Sequence, residues 1–268
     1  MGQDGVIFVA VGNGYRDLAC QAAASLAMSN PGLPVDIFTD GPLPPHHVFD
    51  QVHPIPAPHP RAKLDCFARS RFDRTLYLDA DVLVLGPLGD LFSVADRFPL
   101  AMAHDVRRRS PLVRQGHAAE TPYAFPQLNS GVLLYRRGEE TAAFFAEWKR
   151  RYDAAGHLRD QITLKDLLWD SDIRFYVLPP EFNLRRTPML DAWEPLDARP
   201  TILHSHRLLQ HLRGRGQRVT TVEEIAALER EALGREWQAH VGHPGPVPAG
   251  IDPAARFGDV DESFDSGL

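Results

Sequence analysis

A mixed, mostly parallel α/β sheet with flanking helices, in a single domain, is the architecture expected of this chain, and three observations carry that expectation. Val6-Ile7-Phe8-Val9-Ala10-Val11 is a continuous apolar run closed by Gly12-Asn13-Gly14, the pattern of a strand buried on both faces of a parallel sheet. Leu18, Ala22 and Leu26 follow at helical spacing, and Asn30-Pro31-Gly32 stops that helix. Val35-Asp36-Ile37-Phe38-Thr39 then reads as a second short strand ending at Asp40-Gly41-Pro42. Strand, helix, strand is the opening of an α/β sandwich.

The later elements follow in order. Residues 42–60 are rich in proline and histidine and read as loop, with a short strand near Val48 to Ile55. A helix is expected from Ala62 to about Phe72. Thr75-Leu76-Tyr77-Leu78 is a strand running into Asp79-Ala80-Asp81, and Val82-Leu83-Val84-Leu85 continues extended to Gly86-Pro87. Leu100 to Ala103 is another short strand. Residues 104–127 are polar, basic and broken by prolines, and an aperiodic segment of that length is expected to be a functional or mobile loop. Strand character returns from Leu128 to Tyr135. Phe144, Trp148 and Tyr152 share one helical face, Ile162, Leu167 and Leu168 mark another helix, and Phe175–Leu178 and Thr201–Leu203 are late strands. Thr221 to about Val241 is helical, with Glu223-Glu224 at the end where the helix dipole favours negative charge. One domain is expected over residues 1–242, with halves at about 1–103 and 104–242. The tail, 243–268, is rich in proline, glycine and acid and is expected to be loosely ordered.

Composition narrows the function classes. The 268 residues are 44% hydrophobic and 24% charged with a net charge of -6, an ordinary globular composition that speaks against nucleic acid or an anionic membrane as partner. No stretch approaches the roughly 20 apolar residues of a membrane helix, and the N-terminus lacks the pattern of a secretion signal. Cys20 and Cys66 do not form a disulfide framework. They read as buried small apolar residues in a reducing compartment, so a cytoplasmic location is expected. Arg107-Arg108-Arg109 and Arg213-Gly214-Arg215 read as solvated surface unless a phosphate site lies near.

The strongest chemical pattern is Arg74-Thr75-Leu76-Tyr77-Leu78-Asp79-Ala80-Asp81-Val82-Leu83-Val84. It sets two carboxylates at the end of an apolar strand. In extended backbone, residues two apart point to one side, so Asp79 and Asp81 can face one ion. Two crowded carboxylates in an apolar setting repel and cost several kcal/mol, on the order estimated for buried unpaired groups. A hard divalent cation relieves that cost, and oxygen ligands favour manganese or magnesium, whose shell phosphate oxygens commonly complete. Strand C-termini are also where open α/β sheets bind ligands. An acidic turn capping the strand accounts for the same residues without function.

With that motif placed, the sequence resembles the family 8 glycosyltransferases, the group that includes glycogenin and bacterial lipopolysaccharide galactosyltransferases. The blocks appear in the family's order: Val11-Gly12-Asn13-Gly14-Tyr15, Lys63-Leu64-Asp65-Cys66, Tyr77-Leu78-Asp79-Ala80-Asp81, Leu128-Asn129-Ser130-Gly131-Val132-Leu133-Leu134-Tyr135, Asp160-Gln161 and Ile202-Leu203-His204. They span about residues 5–206. The resemblance implies a Rossmann-like GT-A fold, a nucleotide-sugar donor (usually a UDP-sugar), manganese dependence and retention of anomeric configuration. It implies Asp79, Asp81 and His204 as metal ligands, and Tyr15, Lys63, Asp79, Ala80, Asn129, Ser130 and Gly131 as donor-binding residues. Asp160 and Gln161 fall near the reaction centre. The acceptor, whether glycan, lipid-linked glycan or protein, is not specified. The family commonly follows its histidine with a glycine and then a lysine that closes on the diphosphate. Here the segment is His204-Ser205-His206-Arg207-Leu208, which leaves Arg207, Arg213 or Arg215 to supply that charge, and either His204 or His206 to hold the metal.

Taken alone, several of these residues admit a second role. Lys63 suits an exposed helix face, and Tyr15 suits plain packing as well as stacking on a base. Asn129-Ser130-Gly131 interrupts an apolar strand, as either a sugar-binding edge or a bulge does. Asp160 suits a helix N-cap, and a histidine at a strand end is commonly structural. Asp105 reads as a solvated loop residue. The rival functions are a nucleotidyltransferase acting on sugar phosphates, which would want a glycine-rich basic loop after the first strand, and a non-catalytic nucleotide- or glycan-binding domain.

Overall fold

The structure is a computed structural model and describes residues 3–106, 108 and 111–241. The strands are β1 (Asp4–Ala10), β2 (Val35–Thr39), β3 (Gln51–Pro54), β4 (Arg74–Leu78), β5 (Val82–Val84), β6 (Leu100–His104), β7 (Leu128–Arg136), β8 (Phe175–Leu178) and β9 (Ile202–His204). The helices are α1 (Asn13–Ser29), α2 (Lys63–Cys66), α3 (Pro111–Arg114), α4 (Glu139–Ala155), α5 (Asp160–Asp170) and α6 (Val222–Val241). Seven strands form one sheet in the order β3-β2-β1-β4-β7-β6-β8, and β5 pairs with β9 in a second, two-stranded sheet. The pairs β3-β2, β2-β1, β1-β4 and β6-β8 are parallel, whereas β7 runs antiparallel to both its neighbours. This is the expected mixed, mostly parallel sheet.

The unbroken apolar runs have a direct cause: both faces of the sheet are covered. Val6, Phe8, Leu76, Leu78, Val132 and Leu134 face a core completed by Leu18, Ala22 and Leu26 of α1 and by β5 and β9. Ile7, Tyr77, Leu133 and Tyr135 face a second core with Trp148 and Phe144 of α4 and Leu164 and Leu168 of α5. Neighbouring residues of a strand point to opposite faces, so every position along such a strand must be apolar.

Three local expectations are corrected. The helix expected from Ala62 to Phe72 is only one turn of α2, followed by a 3-10 turn at Phe67–Arg69. Phe67 and Phe72 are buried, and the chain tightens to place both rings. The run Val82–Leu85 does not extend β4. The backbone bends at Ala80 and Asp81 and β5 leaves for the small sheet, with Val82 opposite His204. Cys20 is only half-buried, while Cys66 is fully buried and burial pushes its thiol up to about 12. The tail 243–268, and Arg107 and Arg109 of the first arginine cluster, lie outside the described residues. No helix among the described residues is long and apolar enough to cross a membrane.

Candidate metal and donor site

The C-terminal ends of β1 and β4 and the N-terminal end of the antiparallel β7 meet at one rim of the sheet. A cleft of about 970 Å³ opens there, lined by residues that include Tyr15, Lys63, Asp79, Ala80, Asp81, Asn129, Gln161 and His204. Such a volume lies at the upper end of the usual ligand-pocket range of about 300–1,000 Å³.

Asp79, Asp81 and His204 converge in this cleft, each offering one ligand atom, with these atoms all within 4.8 Å of one another. His204 Nε2 lies 3.3 Å from Asp81 Oδ1 and 3.8 Å from Asp79 Oδ2. The convergence does not come from extended backbone, as the spacing suggested. It comes from the bend at Ala80, where the chain passes from the large sheet to the small one. The Asp79 amide bonds the Gly131 carbonyl at 2.8 Å, and the Ser205 amide bonds the Asp81 carbonyl at 3.0 Å. Each carboxylate is thus anchored by a different sheet.

The cluster's orientation is set by its neighbours. His204 Nδ1 lies 2.9 Å from Asn183 Oδ1, and Asn183 Nδ2 donates to Asn129 Oδ1 at 3.1 Å. Because that Asn183 oxygen can only accept, Nδ1 donates to it, and this contact turns Nε2 toward the two carboxylates. Tyr77 donates its hydroxyl to Asp79 Oδ1. Burial first, then the Asp79 charge, push the Tyr77 phenol well above its ordinary range, so it remains a donor and leaves Oδ2 facing the histidine. Burial alone would raise Asp81, but His204 and Arg185 bring it down to about 2. His206 also lines the cleft but is not in the cluster. Burial and then Arg207, Arg185 and Arg186 hold it down at about 3, a neutral ring at neutral pH.

A second polar group adjoins the first. Lys63 Nζ donates to Ser130 Oγ at 3.0 Å and lies 3.2 Å from Asp160 Oδ2 and 3.6 Å from Asp79 Oδ1. Ser130 donates to Asp160 Oδ2 at 2.8 Å, and Arg61 Nε sits 3.3 Å from Asp160 Oδ1. Lys63 is therefore buried, not on an exposed helix face. Asp160 is the first residue of α5, but Arg159 holds the cap position and no side chain caps the helix. Burial would raise the Asp160 carboxyl, yet Lys63, Arg61 and the Ser130 hydroxyl hold it below its ordinary range. Gln161 donates to the Leu128 carbonyl at 3.1 Å and accepts from Arg159 at 3.2 Å.

Asn129-Ser130-Gly131 forms the bulge that the sequence allowed. Met102 pairs with Leu133 and Ala103 with Asn129, so residues 130–132 bulge out of the ladder beside the cluster. A β-carbon on Gly131 would stand 2.1 Å from His204 Cε1 and 2.6 Å from Asp79 Oδ2, so only glycine fits here. Asp105 corrects another expectation: it is buried, accepts from Asn129 Nδ2 at 3.2 Å and lines the cleft. The sequence reading missed Arg61, Asn183 and Arg185. Tyr15 stands on the cleft wall, half-exposed. Of the arginines considered for the diphosphate, Arg213 lines the cleft, joined by Arg185 and Arg186. Arg207 is buried and Arg215 exposed.

This sheet order, with a carboxylate-bearing bend at the rim, is that of a GT-A fold. No family model matches the chain, and no curated protein matches it in sequence. Solved structures match in fold. The glycosyltransferase GlyE of Streptococcus pneumoniae TIGR4 aligns with a TM-score of 0.57 at 19% identity, covering 88% of this chain and 63% of that one. The present chain thus spans less than two thirds of GlyE. The galactosyltransferase LgtC, in complex with donor and acceptor sugar analogs, aligns with a TM-score of 0.53 at 19% identity, covering 75% of this chain and 86% of that one. An LgtC variant with an active-site glutamine replaced by glutamate aligns with a TM-score of 0.52.

Proposed function

We propose that this chain is a metal-dependent glycosyltransferase that moves a hexose or similar sugar from a nucleotide-diphosphate donor, a UDP-sugar, to a glycan, lipid-linked glycan or protein acceptor. Retention of anomeric configuration belongs to the same reading and rests on family resemblance. The observation that carries the proposal is the convergence of Asp79, Asp81 and His204 within 4.8 Å in a cleft large enough for a nucleotide sugar. The donor set fits a divalent ion: two carboxylate oxygens, an imidazole nitrogen oriented by Asn183, and a backbone at Gly131 with no room for a side chain. Asp79, Asp81 and His204 would hold manganese or magnesium. When bound, such an ion supplies positive charge opposite the leaving diphosphate.

The chain's own residues supply the rest. Arg185, Arg186 and Arg213 line the cleft and place further positive charge for the diphosphate. Tyr15 offers a ring to the nucleotide base. Asn129 and Ala80 line the cleft where the sugar would sit, while Ser130, bonded to Lys63 and Asp160, and Gly131, bonded to Asp79 and Asn129, hold that wall in place. Glycosyl transfer passes through an oxocarbenium-like state with growing positive charge on the sugar. Asp160, held ionised by Lys63 and Arg61 just behind the cleft wall, would stabilise that charge through space, and Gln161, which lines the cleft, would position the ring on the same side. The place given to Gln161 rests on the family resemblance of Asp160-Gln161.

The test is donor hydrolysis with a panel of UDP-sugars and manganese. Release of UDP is the expected result, and Asp81→Asn should lower it by about 10²-fold or more, the scale of losing one preorganised electrostatic group. Release of pyrophosphate would point to nucleotidyl transfer, and release of neither to a binding domain. Full turnover in both Asp79→Asn and Asp81→Asn would end the metal reading.

A further inference from the structure

Beyond the donor cleft, one turn further along α5, lies a smaller cavity of about 280 Å³ lined by Arg114, Gln115, Thr121, Tyr123, Phe125 and Lys165, with two prolines at its edge. Its volume falls just under the usual range for ligand pockets of about 300–1,000 Å³, too small for a nucleotide sugar and suited to a single ring. Gln161 and Lys165 stand four residues apart on α5, and residues at that spacing share a helix face. Gln127 connects the two regions, with Nε2 donating to the Gln115 carbonyl at 2.7 Å and Oε1 accepting from Arg159 at 3.4 Å.

The lining has a distinct chemistry. Lys165 is buried, and its ammonium donates to the Arg114 carbonyl, the one acceptor it meets among the described residues. An ammonium carries three donors, so two are left for whatever fills the cavity. Burial holds the Lys165 amine below its ordinary range, against the opposing charge of Asp166. An anion at this point would offset that desolvation. Arg114 adds a second cation, its guanidinium 5.7 Å from the centroid of the Tyr123 ring. No carboxylate is among the lining residues. Tyr123 is 58% exposed and offers an open aromatic face, while Phe125 is fixed edge-on to Trp169 at 5.0 Å. An aromatic face, hydrogen-bonding side chains and two cations with no carboxylate in the lining together select a ligand with an apolar ring face, hydroxyl groups and negative charge.

We infer that this cavity is a second carbohydrate subsite that takes one acid-bearing sugar ring, a uronate or a sugar phosphate, of the acceptor glycan. Calling the ligand part of the acceptor rests on the glycosyltransferase reading above; binding of the anionic sugar does not. An acceptor seated here would lie within one turn of α5 from Gln161, so the cavity would bear on which unit of the glycan meets the donor.

The experiment is an NMR titration of the full chain with glucuronate, glucose 6-phosphate and glucose, each with and without UDP and manganese. At least one anionic sugar should bind about tenfold or more tightly than glucose, and UDP with manganese should not displace it. Which anion binds separates a carboxylate from a phosphate ligand. Lys165→Met should abolish that preference. Because Lys165 is buried and its variant could misfold, Arg114→Gln and Tyr123→Ala at exposed positions should each weaken the anionic sugar by about tenfold. Equal binding of glucose, displacement by UDP and manganese, or undiminished binding in both exposed variants would overturn the inference. Failure of UDP itself to bind would count against the nucleotide-sugar reading, and the titrations without UDP would still decide the cavity.

Discussion

Asp160 concentrates the electrostatics of the cleft in one side chain. It is almost fully buried, a position in which a carboxyl group ordinarily becomes neutral. Here Lys63, Arg61 and the Ser130 hydroxyl more than offset burial and keep its pKa below the ordinary 3.8. A carboxyl whose folded-state pKa is depressed contributes stability that is present above its unfolded pKa and lost as pH falls through the folded value. Wild-type protein should therefore lose melting temperature as pH drops below about 3.8, while Asp160→Asn, measured in the same buffers, should show a shallower loss across that interval. Identical pH profiles would mean that Asp160 is not held ionised. The residues of this group differ in how legible they were. Lys63, Asp79, Asp81, Asn129, Ser130, Asp160 and His204 stood in recognisable blocks, each beside an apolar strand or helix. Arg61 and Asn183 stood in no pattern, because their partners lie far off in sequence: Arg61 meets Asp160, and Asn183 meets both His204 and Asn129. Asp105 looked solvated because its only visible neighbours were the arginines that follow it.

At the scale of elements, β7 is where the strand pattern and the site interfere. Its apolar run is read easily, and Asn129-Ser130-Gly131 marked a bulge as one reading, but its extent over residues 130–132 follows only from the register against β6. Gly131→Ala would drive a methyl group against His204 and Asp79. Overpacking of this kind costs about 1–3 kcal/mol, and here the side chains forced aside are the cluster itself. The variant should lose manganese-dependent nucleotide binding out of proportion to its fall in melting temperature; a variant with normal binding would show the cradle to be spare room. The segment 104–127, expected to be mobile, is tied down in part. Asp166 Oδ2 accepts the amides of His117, Ala118 and Ala119 at 2.8, 2.6 and 3.3 Å. Asp166→Ala should therefore raise hydrogen exchange at those three amides, with about 1–3 kcal/mol lost for the stranded donors; unchanged protection there would show that other contacts hold the loop. Nothing local marked Asp166, one acid in a helix, as that anchor. Glu229 was equally silent within the charged run of α6, yet it is buried and accepts from Thr187 and Ser205, fastening α6 to the segments that carry Arg185 and His204. Long-range polar contacts leave no periodicity in sequence, whereas faces that bury apolar side chains do.

Across the whole molecule, the packed faces of the sheet leave a cleft at one rim, and Lys63, Asp81, Asp105 and His204 are buried side chains that line it. The large sheet presents Asp79, the small sheet Asp81 and His204, and the segment between them Asn183 and Arg185, so the cluster exists only when both sheets are formed. A ligand that binds this arrangement and not the unfolded chain raises the melting temperature by mass action. The signs of the charges then decide which ligand can act alone. On the reading proposed above, UDP by itself would bring a diphosphate toward two carboxylates, an unfavourable approach; manganese held by Asp79, Asp81 and His204 would relieve that repulsion, and UDP would offer it phosphate oxygens. Each should therefore raise the affinity of the other, and by equal factors. At a ligand concentration of about 100 times Kd the stabilisation is about 2.7 kcal/mol. For a chain of this size that is a rise of about 5–10 °C, at about 2–4 °C per kcal/mol. A thermal-shift series should show almost no effect of UDP in the presence of EDTA, a small effect of manganese alone and the full rise only with both. Asp81→Asn should abolish the joint rise while leaving the fold's own melting transition in place. A UDP shift of the same size in EDTA would place the nucleotide elsewhere than opposite Asp79 and Asp81, and the cluster would have to be read as structural.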